Sequence, residues 1–159
     1  MYNKYLLDLN KKNLERAKDA GFSFEFVENI ENTMKNLESS IVIDTIFVRQ
    51  EGQKHYEKGN YFEAMRCFEA LALDGDVGSQ ALLAHMYLSG EGVPVDQVKA
   101  FSWYKAAAEQ GLSFAQYVLG VLYYNGNGTQ RNVQEGIKWM KKAAEQGHEG
   151  AIETLKEIS

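Results

Sequence analysis

The stretch Lys-Ala-Ala-Ala-Glu-Gln-Gly at residues 105–111 returns almost unchanged as Lys-Lys-Ala-Ala-Glu-Gln-Gly at residues 141–147. Outward from this stretch, residues 76–111 and 112–147 align as two copies with a period of 36 residues. A fixed period between about 20 and 50 residues is typical of stacked-repeat proteins, so the sequence predicts a repeat fold. Such folds favour a surface that holds another molecule over a catalytic pocket. Of the 36 aligned pairs, 12 are identical: Gln80/Gln116, Leu83/Leu119, Tyr87/Tyr123, Gly90/Gly126, Gly92/Gly128, Trp103/Trp139, Lys105/Lys141, Ala107/Ala143, Ala108/Ala144, Glu109/Glu145, Gln110/Gln146 and Gly111/Gly147.

Each copy carries the signals of two helices, A and B, joined by a glycine turn. In the second copy, the capping-box pattern Ser113-x-x-Gln116 predicts a helix A that runs to about Asn125. The first copy repeats this plan, with helix A at about 78–89. Helix B is predicted to begin after a polar cap and to end at a left-handed glycine, which are Asp96 and Gly111 in the first copy and Asn132 and Gly147 in the second.

Small residues at matching positions predict that helices A and B of one copy approach closely. The facing pairs are Ala84 with Ala100 and Gly120 with Gly136. Trp103 and Trp139 are then predicted to fill the seam with the next helix pair. A helical hairpin of this size cannot bury its apolar face alone, so neighbouring hairpins must stack.

The residues on either side of the two copies extend the same pattern. Residues 41–75 resemble a tetratricopeptide hairpin, in which Asn60 caps the second helix, and residues 148–159 continue the 36-residue register as one capping helix. Residues 1–40 lie outside the pattern and are predicted to form an N-terminal helical extension. Its second helix, capped by Ser23, carries an apolar stripe at Phe24, Val27, Ile30, Met34 and Leu37. This extension either covers the first hairpin, or folds into the groove or docks a partner.

The shared tail at 105–111 and 141–147, the two Gly-x-Gly turns and the tryptophan of helix B resemble Sel-one-like repeats, relatives of the tetratricopeptide repeat. The resemblance covers residues 41–159. It implies an all-α, right-handed α-α superhelix, a solenoid whose A helices line a concave face. Proteins of this family serve as adaptors or scaffolds in protein complexes. In bacteria they often act in regulation, host interaction or toxin neutralisation.

Composition and charge narrow the classes of partner. The chain has 17 Lys and Arg residues against 22 Asp and Glu residues, which gives a net charge of −5. Without a basic stripe, nucleic acid is not an expected partner. The sequence contains no apolar run of the length that a membrane helix needs, and none typical of a signal peptide. Cys67 is the single cysteine, which suits a reducing compartment, so the expected location is cytoplasmic.

No arrangement of residues in the sequence indicates catalysis, a cofactor or a metal. His55, His85 and His148 are scattered without the spacing of a metal site. Cys67 occupies the helix B position of the two tryptophans and is interpreted as a packing residue. The Gly-x-Gly turns follow helices and lack the Lys-Ser/Thr of a phosphate loop. A hydrolase or transferase in the groove, the alternative of another class, would need an activated nucleophile or an acid–base pair.

Mapping the groove geometry of tetratricopeptide solenoids onto helix A predicts an aromatic concave face. Tyrosine and arginine are typical of protein interfaces, so we expect a non-catalytic protein-interaction module that is a monomer when free. A bacterial immunity protein that caps a toxin or effector domain is the sharper hypothesis; a regulatory adaptor, scaffold or chaperone-like protein is the alternative. The predicted partner-binding residues are Arg49, Gln53, Tyr56, His85, Leu88, Tyr117, Val121, Tyr124 and Glu153, and the same mapping places Ala81 in the row of His85 and Leu88.

Overall fold

The computed structural model describes residues 2–21 and 23–158, apart from the side chains of Tyr2, Asn3, Tyr5 and Ile43. Over these residues the chain is all-α, without a β-strand, which confirms the predicted fold class. The helices are α1 (Tyr2–Asp19), α2 (Phe24–Glu57), α3 (Tyr61–Leu73), α4 (Val77–Ser89), α5 (Gln97–Glu109), α6 (Ser113–Asn125), α7 (Val133–Glu145) and α8 (Glu149–Glu157).

The chain divides into two compact units, Met1–Val48 and Arg49–Ser159. Helix α2 contributes residues to both units and continues through residue 40 without a break. The domain boundary predicted at residue 40 stays a prediction. In the first unit, the backbone N–H of Phe26 donates to Ser23 Oγ over 3.4 Å, as expected for a cap. The apolar stripe of α2 is half-buried at Val27, Ile30, Met34 and Leu37, but Phe24 is 82% exposed.

In the second unit, the predicted polar caps of the B helices form. Asp96 Oδ1 accepts the N–H of Lys99 over 2.9 Å, and Asn132 Oδ1 accepts the N–H of Glu135 over 3.1 Å. Each bond satisfies a backbone donor that the first helical turn leaves free. Asn60 precedes α3 as predicted, but its side chain makes no capping hydrogen bond.

The prediction that Ser113 caps α6 is wrong. Ser113 is the first residue of the helix, and Leu112 occupies the capping position before it. Leu112 has the extended backbone of a cap but no side-chain acceptor, and it packs against the core instead. Its repeat equivalents are Asp76 and His148, which cap α4 and α8 with their side chains. The capping residue therefore lies one position earlier than the sequence pattern indicated.

The close approach of helices A and B is confirmed in the second repeat. A Cβ atom added to Gly136 would lie 2.7 Å from the carbonyl oxygen of Gly120, and one added to Gly120 would lie 2.6 Å from Met140 Cγ. Such distances are well inside van der Waals contact. Alanine fits the equivalent positions of the first repeat, where Ala84 and Ala100 are fully buried.

Successive repeats share one continuous core. Tyr104 and Leu119 are at most 1% exposed, and Trp103 and Trp139 pack against the same cluster. Trp103 thereby fills the seam with the next helix pair as predicted, whereas Trp139 packs against a cluster formed by α4, α5 and α6. Phe101 of α5 contacts Tyr123 of α6 edge to face, with ring centroids 5.0 Å apart. Aromatic edges and faces attract each other because of their opposite partial charges.

Four of the repeated glutamines form a hydrogen-bond ladder between the helices. The buried Gln116 donates its Nε2 to the carbonyl of Ala108 over 3.2 Å and accepts from Gln146 Nε2 over 2.8 Å. Gln80 and Gln110 repeat this arrangement one period earlier, with Gln80 donating to the carbonyl of Ala72. The identical glutamines of the two copies are therefore explained by structure, since they join the end of one helix pair to the start of the next.

Candidate interaction surface

The predicted partner-binding residues differ in how much of their surface reaches solvent. All of them lie on α2, α4, α6 and α8. Arg49, Gln53, His85 and Glu153 are exposed, and Ala81 is buried. Their assembly into one concave groove stays a prediction. Five of the predicted residues are half-buried: Tyr56, Leu88, Tyr117, Val121 and Tyr124.

Arg49 is bound at the start of α4 through Asp76. Its Nη2 lies 2.6 Å from Asp76 Oδ1, and its Nη1 lies 3.3 Å from Oδ2. Asp76 Oδ2 also accepts the N–H of Ser79 over 2.8 Å, so the carboxylate caps the helix. Partial burial opposes ionisation of Asp76, but the bonds from Ser79 and Arg49 outweigh it and hold the pKa of this carboxyl below its usual value. Arg49 therefore has a structural role besides any contact with a partner.

Replacing Asp76 with alanine is expected to lower the free energy of unfolding by about 1–2 kcal/mol at neutral pH, because both the cap and the ion pair are lost. A carboxyl with a lowered folded pKa stabilises the protein fully above its unfolded pKa, near 3.8. This contribution disappears as the pH falls through the folded pKa. Urea unfolding across this acid range measures the effect.

Asp76→Asn is the control, since asparagine keeps the cap but lacks the charge. It should lose less stability than the alanine variant at neutral pH. Equal stability of the wild type and the alanine variant at neutral pH would contradict this role for Asp76.

Tyr56 ties the end of α2 to the turn after α4. Its hydroxyl donates to Glu91 Oε2 over 2.8 Å, and its ring meets Tyr61 edge to face at 5.2 Å. The bond to Glu91, together with desolvation, raises the pKa of Tyr56 to about 12. Beside it, Arg49, Gln50, Gln53, Lys54 and Glu57 line a shallow surface hollow of about 350 Å³.

Tyr117 joins α6 to α8, a role that the sequence analysis did not assign. Its ring stacks on His148, with centroids 4.8 Å apart and planes 27° from parallel, and its hydroxyl lies 3.3 Å from Thr154 Oγ1. His148 in turn caps α8, because its Nδ1 accepts the N–H of Ala151 over 3.2 Å. The 36-residue register could have indicated that His148 caps α8, because it places His148 at the position equivalent to Asp76.

The other predicted residues contribute less to contacts between helices. The backbone carbonyl of Tyr124 accepts a hydrogen bond from Arg131 Nε over 3.0 Å, and the guanidinium lies 5.8 Å from the tyrosine ring centre. Leu88 packs partly against the shared core. His85 keeps its side chain exposed on α4, between the buried Ala84 and Met86.

Catalytic chemistry finds little support in these residues. Within residues 2–21 and 23–158, no three His, Cys, Asp or Glu side chains come together as a possible metal site. Cys67 is half-buried, and burial, assisted by Glu51 and Glu63, raises the pKa of its thiol. A raised pKa leaves less of the reactive thiolate at neutral pH. None of the described helices has the length and apolar character to cross a membrane.

Comparison with known families identifies the repeats. The Sel1 repeat family matches residues 77–112 and 113–148. Two curated relatives are exopolysaccharide production negative regulators: 39% of 61 aligned residues are identical in the protein of Rhizobium leguminosarum bv. viciae, and 36% in that of Rhizobium meliloti. Each match spans 38% of this chain and 23% of the relative. The curated relatives are thus matched over about a quarter of their length.

Solved structures share the fold. A Sel1 repeat protein from Oxalobacter formigenes matches with a TM-score of 0.61 and 38% identity, over 64% of this chain and 42% of that protein. A protective antigen of uropathogenic Escherichia coli, which has an SLR fold, matches with a TM-score of 0.64 and 35% identity. The match covers 72% of this chain and 25% of the antigen. Cysteine rich protein B of Helicobacter pylori matches at 21% identity with a TM-score of 0.56, over 70% of this chain and 94% of that protein. At this identity the match shows the fold alone.

Sel1 repeats are protein-interaction modules, and proteins built from them are generally non-catalytic scaffolds. The two matched repeats coincide with the helix pairs α4–α5 and α6–α7. The resemblance found in the sequence is thereby confirmed: residues 77–148 are two Sel1 repeats, and the fold is that of Sel1-like repeat proteins of the tetratricopeptide-like superfamily.

Proposed function

We propose that this chain is a non-catalytic adaptor that binds a protein partner through the predicted concave face of its A helices. The observation that carries the proposal is a contrast between the two repeats. Several positions that build the scaffold are identical, such as Gln80/Gln116 and Leu83/Leu119, whereas the three pairs predicted to face the groove all differ. The differing pairs are Ala81/Tyr117, His85/Val121 and Leu88/Tyr124.

This contrast distinguishes positions whose residue is determined by repeat stacking from positions whose residue is determined by the surface they present. A position that serves only to stack repeats has the same environment in each copy, so the same residue suits it. Three neighbouring positions on one side of helix A instead carry different sizes and polarities. His85 is exposed, while Tyr117 and Tyr124 are half-buried. A mixed polar and aromatic surface of this kind is typical of protein interfaces.

Two finer roles within this function are also proposals. A regulatory adaptor is supported by the two rhizobial relatives, both of which are negative regulators of exopolysaccharide production. An immunity protein that neutralises a toxin is supported by the net charge of −5, which would attract a basic toxin surface. In both roles we expect a monomer that acts in the cytoplasm, where Cys67 stays reduced.

The proposal is tested by capturing partners from the native lysate and measuring the affinity of the strongest one for groove variants. His85→Glu combined with Gln53→Glu is expected to weaken that binding about tenfold, since both side chains are exposed and sit on neighbouring A helices. Tyr117→Ala is a poor test, because it would also loosen α8.

The matched control places two acidic residues on B helices, with Ser102→Glu on α5 and Ala70→Glu on α3, both exposed. It changes the net charge equally and should leave the affinity within about twofold. Equal weakening by both double variants would contradict binding through the A helices. A captured toxin domain would select the immunity role, and a regulatory protein would select the adaptor role.

A further inference from the structure

Helix α7 carries a local concentration of positive charge on a protein that is acidic overall. Lys138, Lys141 and Lys142 are exposed on one stretch of this helix. They line a surface groove of about 430 Å³ together with Gln134, Ile137 and Glu145. We call this feature the α7 groove. Three ammonium groups against one carboxylate make it a positive site on a chain of net charge −5.

The repeat register shows that the fold does not require these lysines. The residues of α5 that correspond to Lys138 and Lys142 are Ser102 and Ala106, and the residue that corresponds to Gln134 is Val98. Helix α5 forms the same kind of hairpin with these neutral residues. Lys141 corresponds to Lys105, which pairs with Glu109 at 3.9 Å. The second repeat thus has two further lysines in the groove that stacking does not explain, while Glu135, which pairs with Lys138, stands at the position of Lys99.

The charges of the α7 groove are only partly neutralised by the chain itself. Lys138 Nζ lies 3.1 Å from Glu135 Oε1. Lys142 Nζ lies 4.0 Å from the ring centre of Trp139, a cation–π contact that holds the ammonium without cancelling its charge. Among the residues whose side chains the structure describes, no carboxylate comes within 4.0 Å of the ammonium groups of Lys141 or Lys142.

We propose that the α7 groove binds an acidic segment of a partner protein. The lysines supply the charge complement, and the half-buried Ile137 supplies an apolar contact between them. A short segment meets mainly this local charge. A long polyanion such as DNA, or an anionic membrane, would also meet the repulsion of the acidic remainder. The groove lies on a B helix, so this inference is independent of binding through the A helices.

The test uses the full chain and a fluorescein-labelled peptide of glutamate and alanine with one central leucine. The control peptide has glutamine in place of every glutamate. Fluorescence anisotropy should show at least about tenfold tighter binding of the glutamate peptide, weakening as salt rises. In a Trp103→Phe background, Trp139 is the one remaining tryptophan, because the sequence has two. Its emission should change on binding, since Lys142 lies over its ring.

The double variant Lys141→Gln with Lys142→Gln is expected to weaken binding of the glutamate peptide about tenfold. The control is Lys105→Gln with Lys99→Gln on α5, which removes the same charge. It should change the affinity for the peptide by less than about twofold. Equal affinity for both peptides, or equal weakening by both double variants, would overturn the proposal. It would also be overturned if single-stranded oligodeoxythymidylate or phosphatidylserine vesicles bound more tightly than the peptide with the same dependence on Lys141 and Lys142. Unchanged helicity and melting temperature establish that the variants are folded.

Discussion

Replacing Gly128 with alanine is expected to lower the free energy of unfolding by about 3 kcal/mol or more, the largest single-residue effect anticipated outside the apolar core. Gly128 lies in the turn between α6 and α7 with φ +71°, a left-handed conformation that costs alanine about 1–2 kcal/mol. A Cβ atom there would also overlap the carbonyl oxygen of Gln97 and lie 3.1 Å from Phe101 Cβ. Gln97 and Phe101 belong to α5, so the overlap would push one repeat away from the next, at a further cost of about 1–3 kcal/mol.

Gly147→Ala separates these two causes. Gly147 has φ +83°, but no heavy atom lies within 4 Å of the place where its Cβ would be. Alanine there should therefore cost only the backbone term, about 1–2 kcal/mol. Urea or thermal unfolding of the two variants measures the difference. Equal losses would mean that the repeats adjust to the added methyl group, and that the contact of the turn with α5 is not tight.

The repeat itself made most of the fold predictable from the sequence. Two aligned copies give twice the information at each position, so the helices at 78–89 and 113–125 were located to within a residue. The caps at Asp96 and Asn132 were identified because a polar residue occupies the site in both copies. The prediction at Ser113 was wrong because the true capping position holds Leu112, whose apolar side chain belongs to the core.

The N-terminal part shows where such reasoning ends. Residues 1–48 have no second copy within the chain against which a pattern can be checked. The sequence predicted a helix from Ser23 with an apolar stripe ending at Leu37, yet α2 continues to Glu57. Between Leu37 and Gly52 the sequence contains neither proline nor glycine, so nothing in it stops the helix.

The helices that carry the candidate residues were predictable, but the contacts of those residues were not. The repeat register placed Tyr117 on α6, and the tetratricopeptide-like pattern placed Tyr56 on the helix that is α2 in the structure. It did not indicate that the first stacks on His148 or that the second donates to Glu91, since both contacts depend on side-chain direction. Exposure distinguishes His85, which is free of such packing on α4, from the half-buried tyrosines.

The glutamine ladder leads to the second large expected effect. Gln116→Met keeps the length of the buried side chain but removes its hydrogen-bonding groups. The bonds to the Ala108 carbonyl, at 3.2 Å, and from Gln146 Nε2, at 2.8 Å, are both lost. Each such bond contributes about 1 kcal/mol, and the Ala108 carbonyl keeps the N–H of Gly111 as a donor at 3.0 Å. We expect the free energy of unfolding to fall by about 2 kcal/mol, measured by urea denaturation.

The control is Gln50→Met, which makes the same chemical change at an exposed position of α2 and should alter stability by less than about 0.5 kcal/mol. A double-mutant cycle with Gln146→Met then isolates the bond between the two amides. Because the residues share that bond, the combined loss should be smaller than the sum of the single losses by about 0.5 kcal/mol or more. Strict additivity would show that Gln116 acts through α5 alone. With coupling, the start of α6 and the end of α7 are joined by side chains as well as by packing, so the bond between the amides holds the two helices of one repeat together, while the bond to the Ala108 carbonyl joins that repeat to the preceding one.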